Sequence, residues 1–457
     1  MGSADYTAEE DVPAEYALIQ HIPAEIRKIE VTNETGSYTL LADTPTAKVE
    51  NEDGTTSTVT ETTIYTLVGY EDKDLLTGYP DMLANDSAAL VAGKKVNDGS
   101  DKGDFGFDSP RATVTVTYSS GESATIIVGD DAPDNKGAYV MVEGDENVYL
   151  AASDSVDGFL LGAMGMISTE IGSAASDDSG NVFSKMVMGG TLFGGDVVFE
   201  YANSENFSET YRITSPDNVL ANEEVVTYML NNVRNLKAKE VAAVNVPDDK
   251  LADYDLDEPY ATVQAEYPDL KVDYKASKPD GEGNFYLLSS GIVYKMSTDS
   301  VPWVLHDYND CVVKSILRPK YGSVTGVSIE ADGKTYDFDI KTTEEKDGDV
   351  TNTTTTVTCG GAAVDSDKFN TFMQNLESAE RAGGIEKSAD SGKSVLKITL
   401  KFADGETTTA EFYEAANRKC PVIVNGSLAS FAYETYVTKM IADTPLIAAN
   451  GSVDSVY

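Results

Sequence analysis

The chain has 457 residues, with 34 Lys or Arg against 77 Asp or Glu, for a formal net charge of −43. That balance excludes a nucleic-acid-binding protein, since phosphate recognition needs a basic footprint, and no affinity for duplex DNA is expected. Hydrophobic residues make up 41%, enough to bury real cores, and at roughly 150 residues per domain the length predicts about three domains.

Residues 1–21 read as a polar N-terminal lead. Its start, Met1-Gly2-Ser3-Ala4-Asp5, resembles an added leader, and no charged-then-apolar signal peptide opens the chain. A first unit, 22–161, follows. Ile29–Val31 pairs with Tyr38–Leu40 as an opening hairpin, a helix lies near Tyr79 to Leu90, and Asp108-Ser-Pro110 leads into the alternating strand Ala112, Val114, Val116, Tyr118. Ser119-Ser-Gly121-Glu122 turns this strand into a meander that ends at Val148-Tyr149.

Residues 162–194 form a connector rich in Gly, Met and Ser. It contains Met164, Met166, Met186 and Met188, the turn Ser176-Asp-Asp-Ser-Gly180 and the glycine cluster Gly189 to Gly195. The second unit spans 195–305. Its helix carries the stripe Val225, Val226, Met229, Leu230, Val233, Leu236 with Asn222 as cap, and its strand Asp257-Glu-Pro259-Tyr-Ala261-Thr-Val263 shares Asp-x-Pro-x-Ala-Thr-Val-x-x-x-Tyr with residues 108–118. Val293-Tyr294 repeats Val148-Tyr149 at a nearly unchanged offset, and Trp303 aligns near Phe159 as a core residue.

A linker, 306–321, precedes the third unit, 322–446, and a C-terminal tail, 447–457, follows it. Here Val327–Ile329 pairs with Tyr336–Phe338 around Ala331-Asp332-Gly333-Lys334, and Phe369, Phe372, Met373 and Leu376 form a helical stripe after Asp365-Ser366. Leu396, Ile398, Leu400 and Phe402 alternate before the turn Ala403-Asp404-Gly405-Glu406. Tyr436-Val437 stands where Val148-Tyr149 closes the first unit. The expected fold class is α+β, as three tandem repeats, each a twisted antiparallel sheet with one packed helix.

The combination of Phe105-Gly-Phe-Asp-Ser-Pro110, the strand Ala112 to Tyr118, Ile127-Val-Gly-Asp130 and the ending Tyr139-Val140…Val148-Tyr149-Leu150 resembles the bacterial domain-of-unknown-function 4340 family. The likeness is closest in the first unit, partial in the second and one of pattern in the third. It implies an extracytoplasmic protein anchored in the membrane by an N-terminal helix, often encoded beside parts of a gliding-motility-type ABC transporter. It supplies no catalytic residues.

No catalytic, cofactor-binding or metal-ligating residue is assigned from the sequence, and no cofactor is expected. The two histidines, His21 and His306, belong to no nucleophile–base pattern. Cys311, Cys359 and Cys420 show no zinc or disulfide spacing. The acidic runs Asp98 to Asp104 and Asp130 to Asn135 depart from the EF-hand spacing and read as solvated loops, with calcium coordination through loop oxygens as the alternative, and Arg111 reads as part of a strand-entry turn, with an anionic ligand as its alternative. No hydrolase constellation is legible among the many acids.

Two function classes remain. One is a non-enzymatic cell-envelope interaction or accessory module, its partner a protein or envelope component such as a transporter subunit, touching membrane only through an anchor this sequence does not show. The other is an extracellular glycan- or peptide-binding protein, marked by a cleft that collects aromatics and carboxylates. The segment 162–194 reads first as a packed strut between units, with its methionines as an adaptable contact surface for a partner as the alternative.

Overall fold

The computed structural model describes residues 15–50, 55–96, 101–133, 137–202, 205–207, 209–320, 322–347, 350–385, 392–426 and 428–456. Most of the N-terminal lead, with parts of both acidic runs, lies outside them. The fold is α+β, dominated by three large antiparallel sheets. The chain divides into two compact units: residues 1–170 with 238–245 and 292–294, and residues 171–237 with 246–291 and 295–457. The second unit holds most of the second sheet and all of the third.

In the first unit the sheet runs Tyr16–Ala17, Val91–Val96, Val148–Ala151, Ala138–Val142, Ser123–Asp131, Ala112–Tyr118, Ile26–Asn33, Gly36–Asp43, Ile64–Leu67. Ala112, Val114, Val116 and Tyr118 all point into the core, as their period of two requires. Ile29 pairs with Leu40 on one side and Val116 on the other. The helix Tyr79–Ala88 turns Leu83, Ala84 and Ala88 onto this core, and Tyr79 donates to the Gly158 carbonyl at 2.8 Å.

Asp86, on the same helix, keeps one carboxylate oxygen buried and without a hydrogen bond. Burial, then the charge of Asp154, pushes its pKa up to about 6. A raised acid favours the folded state only while protonated, so it costs stability as pH climbs from about 4 through about 6. Asp86→Asn is therefore expected to raise unfolding stability by about 1 kcal/mol at pH 7.5, a gain reduced by partial solvent screening. Urea titrations at pH 7.5 and pH 4 check this: the gain should vanish at the lower pH.

The part of the second sheet within the second unit runs Val219–Leu220, Tyr211–Ser215, Val197–Tyr201, Lys185–Gly189, Ala261–Glu266, Lys271–Ala276, Asn284–Ser289. Its third and fourth strands correct the expected boundary at residue 195. Lys185–Gly189 pairs with both Val197–Tyr201 and Ala261–Glu266, so residues 185–194 belong to the sheet and the glycine cluster is its hairpin loop. Gly190 has φ +90°, and a Cβ there would stand 2.6 Å from the Tyr260 carbonyl; glycine is required by close approach, not by linker flexibility.

The alternative reading of an exposed methionine surface is not met. Met166, Met186 and Met188 are fully buried, and only Met164 borders an open hollow, of about 660 Å³, in the first unit. The stripe expected to be one helix stops at Leu230: Glu223–Leu230 is helical, whereas Leu236 sits in the strand Asn235–Lys237. Asn222 occupies the cap position, but its side chain donates to the Asp310 carbonyl at 3.1 Å instead. Trp303 is buried, stacked against Tyr274 and donating to the Asn232 carbonyl at 3.1 Å.

The third sheet runs Ala362–Val364, Val350–Cys359, Lys334–Asp347, Val324–Ala331, Ser394–Phe402, Thr407–Tyr413, Lys419–Val424, Leu428–Tyr433. Asp332 and Gly333, both at positive φ, make the two-residue turn between Ala331 and Lys334. The helix Ser366–Glu377 begins at Asp365, whose side chain accepts from the amides of Asp367 and Lys368, and it buries Phe369, Phe372 and Leu376. One helix was expected here; the structure has a second, Glu434–Ala448, and it holds Tyr436-Val437, whereas the matching Val148-Tyr149 lies in a strand. Val437, Met440 and Ile447 fall on one face and enter the core. Residues past 447 are also fixed, since Asn375 donates to the Asp454 carbonyl and accepts from the Val456 amide.

Among the described residues, no helix is long and apolar enough to cross a membrane.

Candidate functional site

Of the residues 306–321, expected as a linker, those described, 306–320, are a built part of the second unit. Asp307 caps the short helix Tyr308–Cys311 by accepting from the amides of Asn309 and Asp310. The chain then runs extended. Val313 donates its amide to the Leu220 carbonyl on the edge of the second sheet at 3.1 Å, Ile316 donates to the Ala379 carbonyl at 2.8 Å, and Lys320 donates to the Asn206 carbonyl at 2.7 Å. A strap with partners on both sides cannot collapse into either core, and a hollow is left beneath it.

Arg381 fixes the strap from the far side, with Nε on the Val313 carbonyl at 2.9 Å and one terminal nitrogen on the Val312 carbonyl at 2.8 Å. Burial lowers its pKa, opposed by the neighbouring Tyr308, yet a guanidinium remains charged at neutral pH.

The hollow is an apolar slot of about 70 Å³. Val219, Leu220, Val312, Val313, Leu317, Val422 and Val424 are among its lining, with Phe207. Its lining includes Arg212, Arg318 and Arg381 and no carboxylate, against the strongly acidic balance of the chain. The slot opens beside a cleft of about 320 Å³ lined by Tyr201, Ala202, Glu205, Phe207, Arg212, Leu220, Asp404 and Glu406. Tyr201 is braced by Phe183 at 4.8 Å and Tyr211 at 5.1 Å between ring centres; Phe207 packs edge-on against Phe402 at 5.5 Å.

The acidic groups here have partners. Asn206 donates its amide nitrogen to Asp404 at 2.8 Å and Glu406 at 3.2 Å. Glu205 lies 3.8 Å from the Lys320 ammonium, and Glu209, buried, lies 3.9 Å from Arg318 Nε. Glu200, opposite Arg212 across the strand pair, accepts from Thr214 at 3.2 Å. On the strand that follows, the Arg212 Nε is buried and has no hydrogen-bond partner.

Nucleophilic chemistry finds little purchase. Burial, then Asp310 and Asp307, pushes the Cys311 thiol up to about 12, so it stays protonated. His21 stacks on Tyr118 with ring centres 3.7 Å apart and reaches Glu25 at 2.9 Å; His306 lies 3.7 Å from Asp310. Arg111 pairs with Asp131. Asp101 and Asp104 are spent capping the turn Lys102–Phe105, and among the described residues no group of three or more His, Cys, Asp or Glu is placed to hold a metal. None of the slot residues was expected as part of a binding site; Val422, Val424, Asn425 and Ser430 lie in a segment read only as the tail of the third repeat. The slot's one local signal is the apolar run Val312-Val313…Ile316-Leu317 inside a supposed linker.

A family model described as "Domain of unknown function (DUF4340)" matches residues 72–178 and 212–396, more than half of the chain. No curated protein and no solved structure matches it.

Proposed function

We propose that this chain, which belongs to the DUF4340 family, is a non-enzymatic binding module of the cell envelope that holds its ligand in the cleft and slot under the strap 312–320. The observation that carries this is the convergence of an apolar slot with a mouth where Tyr201 and Phe207 stand beside Glu205, Asp404 and Glu406. A small concave site with apolar walls and a few placed polar groups is built to bind. Extracytoplasmic placement, a membrane anchor and service to an ABC-type transporter extend the reading along the family resemblance.

We also propose that the three sheets are tandem copies of one unit. The strand after Pro110 lies between Ile26–Asn33 and Ser123–Asp131; the strand after Pro259 lies between Lys185–Gly189 and Lys271–Ala276; Ser394–Phe402 lies between Val324–Ala331 and Thr407–Tyr413. Equivalent neighbours for the matching strands support duplication.

The test uses N-acetyl-leucinamide, a neutral carrier of one branched apolar group, followed by saturation-transfer NMR. Binding to the wild type and its loss in Val313→Trp, which fills the slot, are expected, with circular dichroism unchanged. Equal signals from both proteins, or none from the wild type, would contradict the assignment.

A further inference from the structure

We infer that the slot selects an apolar group bearing a carboxylate, with Arg212 as the residue that receives the carboxylate. This rests on the binding reading above and names the ligand class.

The slot is lined by aliphatic side chains together with Asn218, Ser315, Thr408, Asn425 and Ser430, and the only charges among its residues are arginines. Of these, Arg381 is committed to the strap carbonyls and Arg318 faces Glu209. Arg212 remains, half-buried on the strand Tyr211–Ser215, lining both slot and mouth, with its Nε unpartnered. A buried donor left unsatisfied costs about 1–3 kcal/mol, and a chain so rich in carboxylates had many ways to satisfy it. The nearby acids are instead turned to Asn206, Lys320, Arg318 and Thr214. Arg212, which lines both hollows, is the cation there that no described carboxylate engages, and a guanidinium meets a carboxylate with two parallel N–H donors. The slot behind it has room for several water molecules and takes a branched side chain of about leucine size.

The same chemistry is presented by the C-terminal residue of a peptide and by a free branched acid. Affinities are measured by ligand-observed NMR for N-acetyl-leucine, N-acetyl-leucinamide, N-acetyl-Ala-Ala-Leu and 4-methylpentanoate. The expected result is that N-acetyl-leucine binds the wild type at least about tenfold more tightly than its amide, that Arg212→Gln abolishes the difference, and that Arg212→Lys keeps part of it. On the wild type alone, raising the salt to about 0.5 M should weaken the acid and spare the amide. A tripeptide that outbinds 4-methylpentanoate assigns the ligand to peptide C-termini; the reverse order assigns it to free acids. Equal binding of acid and amide would overturn the inference while leaving the slot a binding site. Failure of all four ligands would remove both.

Discussion

Replacing Arg234 with alanine is expected to cost about 3 kcal/mol of stability. Its side chain is buried in the second unit, where Nε donates to the Ser173 carbonyl at 2.8 Å, one terminal nitrogen donates to the Gly180 carbonyl and the other reaches Asp269 at 3.0 Å. The guanidinium also lies 5.0 Å from the ring centre of Tyr267. Removing it strands two carbonyls, each worth about 1–3 kcal/mol if left dry, and frees the loop 173–181 from the sheet. Asp269 is half exposed, so Asp269→Asn should cost no more than about 1 kcal/mol. Arg234→Lys recovers only part of the loss, since an ammonium lacks the fork. Urea unfolding of the three variants gives the ranking; a cost below about 1 kcal/mol for Arg234→Ala would contradict it.

The second large effect is placed in the third sheet. Phe372 is fully buried, its ring 5.9 Å from Phe338 and 6.0 Å from Phe369 between centres. Truncation to alanine opens a cavity between the helix Ser366–Glu377 and the sheet, costing about 4 kcal/mol. The neighbouring Met373, only partly buried at the core edge, should cost less than half as much. A fall in urea midpoint with unchanged slope is the expected signature, and a Phe372→Ala midpoint equal to that of Met373→Ala would overturn the assignment.

The elements read correctly from sequence are those whose local and global demands agree. Asp332-Gly333 permits a tight turn and lies between alternating strands, so the hairpin was legible. The strand Lys185–Gly189 was not, because Met186-Val-Met188 is short and ends in glycines whose purpose, close approach to Tyr260, is a tertiary fact. The helix Glu434–Ala448 was hidden by Thr438, Thr444 and Pro445, weak helix formers overridden by burial of Val437, Met440 and Ile447. The candidate site was invisible for another reason. Phe207, Arg212, Val313, Arg381 and Val422 come from separate segments, and no periodicity relates them until the strap brings the edge of one sheet to the flank of another.

The most direct test of the binding account is methyl NMR of the protein labelled at Val and Leu, titrated with N-acetyl-leucine. The account predicts concentration-dependent shifts at Val313, Leu317, Val422 and Val424, with Val114 and Val116 of the first unit unmoved. Shifts centred in the first unit, or none at the slot under saturating ligand, would contradict it.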